Sequence, residues 1–221
     1  MRRDGRRRLT SGDLAFGLLI AWSIVATGVV FRSQRLTAAP TEVRAKFVKD
    51  WRTYASRGFM RGPVQSPLTI VVFSDFECPY CRRFAPVLDS LYELHPGVRI
   101  VERHFPLQEI HPSAFEAALS AECAADQGAY AEMRKALYAD QLLLERRAWS
   151  VIARDAHVPD IARLAACVKA RVHADVVETD FNAGVRLGVR GTPAVLVNDT
   201  LLAHTPTLAD LENRLPSVGR P

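Results

Sequence analysis

Apolar positions follow three patterns along this chain, and each predicts a different element. Short apolar runs at 68–73, 98–104 and 194–198, with a brief one near Leu201-Leu202, predict strands. Apolar stripes at the helical repeat predict helices over 79–94, Pro112 to about Ala125, Ala129 to Ala139, Glu145 to Ala156, Asp160 to Val172, Ala174 to Leu187 and Leu208 to Leu215. In the first helix the stripe is Phe84, Val87, Leu88 and Leu91, and His95-Pro96-Gly97 ends it. The order strand, helix, strand, helical block, strands and helix predicts an α/β domain over 67–215, with the helical block inserted at about 112–187. That length supports a single core.

The third pattern lies at the start of the chain. Residues 1–13 are basic, and Leu14 to Phe31 is uncharged and apolar. Eighteen residues at ~1.5 Å each reach roughly 27 Å, close to the ~30 Å hydrocarbon core of a bilayer, so 14–31 is expected to be a transmembrane anchor. A cleaved signal peptide is the alternative, but Thr37-Ala38-Ala39 is followed by Pro40, which disfavours cleavage. Arg7-Arg8-Leu9 is a weak twin-arginine match. Five arginines before the span against Arg32 and Arg35 after it place the N-terminus inside and the domain outside the cytoplasm. Residues 32–66 read as a tether. Within it, Val43, Phe47, Trp51 and Tyr54 lie at helical spacing, predicting a short amphipathic helix from Thr41 to about Arg57. Its stripe would pack on its own domain, on a second copy or at a membrane interface. Gly58, Gly62, Pro63 and Pro67 punctuate the approach to the first core strand.

Charge changes the picture only when its position is considered. The net charge of +5 resides in residues 1–40, where seven arginines face two aspartates, and the rest of the chain is balanced. No basic stripe is left for phosphates, which argues against nucleic acid as a partner.

The candidate chemistry begins at Cys78-Pro79-Tyr80-Cys81, between the first strand and the first helix. With Cys78 as N-cap and Pro79 at the first helical position, the Cys78 sulfur faces unpaired amides and the positive end of the helix, which stabilise a thiolate. Such cysteines attack and leave readily. Cys81, one turn into the helix, is suited to closing or resolving the bond. A zinc half-site needs two further ligands, but Cys123 and Cys167 are isolated and no HxxxH pair occurs, so no metal is expected. A purely structural Cys78–Cys81 bridge would close too small a loop to constrain the unfolded chain.

Gly191-Thr192-Pro193 stands directly before the strand Ala194-Val-Leu-Val197. With both motifs in this order, the chain resembles the thioredoxin superfamily. The helical insertion, together with Arg103-His-Phe-Pro-Leu107, His111-Pro112 and Ala121-Glu-Cys-Ala124, resembles its bacterial DsbA-like branch. The resemblance covers roughly residues 60–215. It implies a thioredoxin-like fold with an inserted helical subdomain, a cis Pro193 facing Cys78, and a substrate segment pairing with the Thr192 main chain beside Pro79 and Tyr80. The chain departs from the pattern at one position. Many thioredoxin-like domains hold a buried acid six residues before the first cysteine, and here that residue is Val72. Asp75 and Glu77 are the nearby acids, each either a candidate proton relay or a solvated turn residue.

Cys123 follows Phe115 and Leu119 at helical spacing, and Cys167 follows Leu164, so both face the helical core. They are either two separate core cysteines or, in an oxidising compartment, a disulfide whose loop of about 44 residues would contribute on the order of 4 kcal/mol.

The expectation is a protein disulfide oxidoreductase in a bacterial cytoplasmic membrane, single-pass, acting on the periplasmic side. Its redox-active Cys78–Cys81 pair needs no cofactor. Its partners are cysteine-containing exported proteins and a membrane redox protein that resets the pair. Net oxidation is the expected direction. Reduction or isomerisation, a non-catalytic peptide-binding chaperone and a glutathione-linked enzyme are the alternatives.

Overall fold

The computed structural model describes residues 45–216. The expected basic N-terminus and anchor at 14–31 lie outside the described residues. Among the described residues, no helix is long and apolar enough to cross a membrane.

The sheet is built around β3 (Thr69–Ser74), in which every residue except Ser74 is buried. A strand covered on both faces reads as a continuous apolar run, which is why Thr69-Ile-Val-Val-Phe73 shows no alternation. It pairs in parallel with β4 (Arg99–His104), setting Val71 against Val101 and Val72 against Glu102. On its other edge it pairs antiparallel with β5 (Ala194–Val197). β6 (Thr200–Leu201) follows β5 as a hairpin partner.

Helix α1 (Pro79–Leu94) connects β3 to β4 and buries Cys81, Phe84, Ala85, Leu88 and Leu91. Phe84, Leu88 and Leu91 join Ile70, Val72, Ile100, Val195 and Val197 in one core cluster. The inserted block comprises α2 (Ala114–Ala125), α3 (Tyr130–Ala139), the short α4 (Gln141–Glu145), α5 (Trp149–Asp155), α6 (Ile161–Ala170) and α7 (Ala174–Leu187). Ala183 and Leu187 of α7 pack with Val71, Phe73, Val101 and Leu196, so the sheet's second face is covered as well. The remaining insertion helices form a cluster of their own that takes in Phe76, Cys78 and Cys81, so the Cys78–Cys81 pair sits where sheet and insertion meet. α8 (Leu208–Glu212) closes the domain behind a Thr207–Asp210 capping box and packs against α1.

Cys123 of α2 and Cys167 of α6 form a disulfide, with their Cα atoms 5.9 Å apart. Of the two readings left open by the sequence, the structure holds the bridged one.

Two stretches differ from expectation. Where an amphipathic helix was predicted to about Arg57, the described part has strand β1 (Lys46–Phe47) and a 3-10 turn at Trp51–Thr53. β1 pairs antiparallel with β6, Lys46 against Leu201 and Phe47 against Thr200. Open hydrogen-bonding groups on the edge of β6 overrode the local helical spacing. Of the predicted stripe, Trp51 and Tyr54 dock on the domain's own core beside Val48 and Ala55, whereas Phe47 is exposed and Val43 lies outside the described residues. The second difference is β2 (Phe59–Arg61), which adds to the far edge of β4 from a stretch expected to be tether. The sheet order is β1-β6-β5-β3-β4-β2. Gly58 and Gly62, which read as punctuation, bracket this strand at φ +117° and +83°. A Cβ at Gly58 would meet the Glu102 carbonyl oxygen, and one at Gly62 the Val98 carbonyl oxygen. Both glycines therefore let a three-residue strand lie against β4.

Candidate active site

β3 ends at Ser74, and Asp75-Phe76-Glu77 turns the chain into α1. Cys78 is the N-cap with φ −71° and ψ 120°, and Pro79 occupies the first helical turn, where no N–H is needed. Both cysteines are free thiols and nearly enclosed, at 4% exposure for Cys78 and 2% for Cys81. Because β5 runs antiparallel beside β3, the residues before β5 arrive next to the end of β3. The Thr192–Pro193 bond there is cis, and Cys78, when protonated, donates its S–H to the Thr192 carbonyl oxygen at 3.2 Å. Thr192 and Pro193 are half-buried, whereas Pro79 and Tyr80 are exposed and form the outer rim. The Tyr80 ring carries the Arg83 guanidinium 4.5 Å from its centroid.

The two thiols are electrostatically opposite. Cys78 is lowered to about 5: the Cys81 thiol stabilises its thiolate most, burial opposes, and the Thr192 side chain and the Cys81 and Tyr80 amides assist. The Thr192 hydroxyl is buried with no hydrogen-bond partner in the protein, which leaves it available to this thiolate. Cys81 is pushed well above the ordinary thiol range, first by burial and then by the adjacent Cys78. At neutral pH the pair is one thiolate and one thiol.

Asp75 is buried and pinned. Its Oδ1 accepts from the Glu77 amide at 2.8 Å, and its Oδ2 accepts from the Leu107 amide and contacts His111 Nδ1, both at 2.8 Å. Glu77 accepts from the Ser113 amide at 2.7 Å, and its carboxyl is raised, chiefly by burial. These bonds tie the active-site turn to the loop leading into the insertion. Neither acid lines the small cavity behind Cys81. That cavity is lined instead by Val72, Cys81, Glu102, Tyr138 and Pro193, among others. Glu102 and Tyr138 were not singled out from the sequence. The available signal was a glutamate interrupting the apolar run Ile100-Val101, but its neighbour could be named only once the strand register was known.

Among the described residues, Cys123, Cys167 and His173 are grouped closely enough to suggest a metal site, but the two sulfurs are joined to each other.

The Thioredoxin family model matches residues 55–215. Among curated proteins, Na(+)/H(+) antiporter NhaA 3 of Salinispora tropica is 38% identical over 142 residues, covering 64% of this chain and 22% of that protein. Na(+)/H(+) antiporter NhaA 1 of Mycolicibacterium gilvum is 34% identical over 198 residues, covering 86% of this chain and 30% of that protein. The chain thus spans less than a third of the length of these relatives. Among solved structures, a thioredoxin-like oxidoreductase from Silicibacter pomeroyi superposes with a TM-score of 0.61 at 27% identity, covering 71% of this chain and 88% of that one. BdbD from Bacillus subtilis gives 0.61 at 18% identity, covering 70% and 91%, and shares the fold. Proteus mirabilis ScsC, in a transitional conformation, gives 0.63 at 18% identity, covering 94% and 97%, and likewise shares the fold. With a thiolate-stabilised Cys-Pro-Tyr-Cys helix facing a cis-proline strand under a helical insertion, the chain belongs to the thioredoxin family.

Proposed function

We propose that the protein works as an oxidant, passing a Cys78–Cys81 disulfide to cysteines of exported proteins on the extracytoplasmic side of a bacterial membrane. The observation that carries this direction is the Cys78 thiolate, lowered to about 5. A thiol that ionises two pH units below neutrality stabilises the reduced form by about 3 kcal/mol, which raises a two-electron potential by about 60 mV. Stabilising the dithiol makes the disulfide easier to give away.

In the reaction, an extended substrate segment lies beside Thr192, and its thiolate attacks the Cys78 sulfur. The Cys78–Cys81 bond breaks, and Cys81 leaves as a thiolate and takes up a proton. A second substrate thiolate then attacks the substrate sulfur of the mixed disulfide, forming the substrate disulfide and expelling Cys78 as a stable thiolate. The protein retains two electrons and one proton, which a membrane redox partner removes. An N-terminal anchor would hold the domain near that partner. Electrons pass only between sulfurs, so the exchange needs no cofactor.

The test is the reduction potential of the Cys78–Cys81 pair, measured by equilibration against glutathione mixtures with thiol trapping. A value nearer about −120 mV supports donation of the disulfide, and one near about −270 mV identifies a reductant.

A further inference from the structure

Exchange through this pair moves one proton on or off Cys81, a buried sulfur whose thiol is held well above its ordinary range by burial. The position that commonly holds a buried acid is occupied here by Val72. In the β3–β4 register Val72 lies against Glu102, and both residues line the cavity behind Cys81. The cavity measures about 10 Å³, room for one water. Glu102 is 4% exposed and is the only carboxylate among its lining residues.

We propose that Glu102, acting through one water in this cavity, moves the Cys81 proton in place of the acid absent at Val72. The carboxylate stands on the neighbouring strand and lines the same cavity as Cys81.

The surrounding charges fit this role. Glu102 Oε2 accepts from Arg134 Nε at 2.7 Å, and Oε1 accepts from Arg61 Nη2 at 3.1 Å. Each oxygen retains a further lone pair. The same arginines bind Asp89 of α1, Arg61 Nη1 at 2.8 Å and Arg134 Nη1 at 3.2 Å, so two acids and two bases alternate with no net charge. The arginines hold the Glu102 carboxylate in place in the wall of the cavity. Arg134 Nη2 and Arg61 Nε are buried without a protein partner, as expected of donors that bind water. Tyr138 lines the same cavity. Its phenol is pushed well up, by burial and then by Cys81 and Glu102, so it stays protonated and orients the water without titrating. His104 and Tyr130 also feel the Glu102 charge. Tyr138 and Ala85 additionally line an open cleft of about 200 Å³, so solvent reaches residues that wall the cavity. In the deprotonating direction, Cys81 S–H loses its proton to the water while Glu102 takes one from it, leaving thiolate and carboxylic acid. The oxidising direction is the reverse.

This inference rests on exchange at Cys78 and Cys81, whatever its direction. The test uses full-length protein carrying glutathione disulfide-bonded to Cys78, and reads the rate at which Cys81 displaces it across pH. Glu102→Gln is expected to slow release at least tenfold at neutral pH, with the loss made up as pH rises and hydroxide takes the proton. Asp180→Asn is the control: it disturbs another buried carboxylate–arginine contact on β4, away from this cavity, and is expected to leave the profile unchanged. A Glu102→Gln profile that superimposes on the wild type overturns the proposal. Should that variant not fold, the wild-type protein decides. The Glu102 carboxyl NMR titration is expected to shift between disulfide and dithiol forms, and an identical titration in both refutes the role. If Cys78 forms no mixed disulfide, the exchange reading itself fails; normal formation with release indifferent to Glu102 fails only this proposal.

Discussion

The Cys78 sulfur lies 3.2 Å from the Thr192 carbonyl oxygen, a contact between residues 114 positions apart. It places the helix-start sulfur against the cis-proline segment. Thr192 also contributes the hydroxyl that favours the Cys78 thiolate. Thr192→Val keeps the shape and removes that hydroxyl, so the Cys78 titration is expected to move up. Alkylation rate against pH measures the midpoint, and an unchanged midpoint would show that the hydroxyl contributes nothing. Cys78→Ser is expected to abolish exchange in an insulin-reduction or thiol-oxidation assay.

The lowered Cys78 titration sets a pH dependence. Folded, Cys78 ionises at about 5; unfolded, it returns to the ordinary thiol range. Between those values the unfolded reduced chain binds more protons than the folded one, so stability of the reduced form rises with pH, and the contribution is lost as pH falls through about 5. The potential should follow. Below pH 5, reduction takes up two protons and the potential should fall by about 60 mV per pH unit; above it, one proton and about 30 mV. A single slope across pH 4 to 8 would contradict the assignment.

Removing the Cys123–Cys167 bridge should destabilise the domain without disabling the site. The bond closes a loop of 44 residues, for which chain entropy predicts a loss of about 4 kcal/mol. Urea unfolding of a Cys123→Ala, Cys167→Ala protein reads this directly. Exchange at 25 °C should persist, and its loss under conditions where the variant remains folded would give the bridge a functional role.

Asp180 of α7 accepts from Arg103 Nε at 2.7 Å and from the His104 amide at 3.0 Å, and both Asp180 and Arg103 are buried. Asp180→Ala leaves a buried guanidinium without its partner, at an expected cost of about 3–5 kcal/mol. Combining it with Arg103→Leu should recover part of that loss in thermal unfolding, because the stranded charge is then removed. No recovery would mean that the Asp180 bond to the His104 amide dominates.

The sequence by itself determined whatever depends on near neighbours. Leu68 to Phe73 reads as a buried strand because its residues are apolar without alternation. The helix after Cys78 is legible from Pro79 and the Phe84–Leu91 stripe, and the insertion from successive helical repeats. The position of Cys78 at that helix start is legible too, since N-cap geometry is a local property. Tertiary structure decided what depends on residues far apart in the chain. Lys46–Phe47 became a strand because β6 offered an open edge, and Phe59–Arg61 because β4 did, although neither segment carries a strong strand pattern. The pairing of Cys123 with Cys167 required the packing of α2 on α6. Glu102 reads as an ordinary charged residue until the β3–β4 register places it against Val72 and behind Cys81. Periodicity and capping act over a few residues of chain, whereas register and cavity contents are set by which distant segments come to lie side by side.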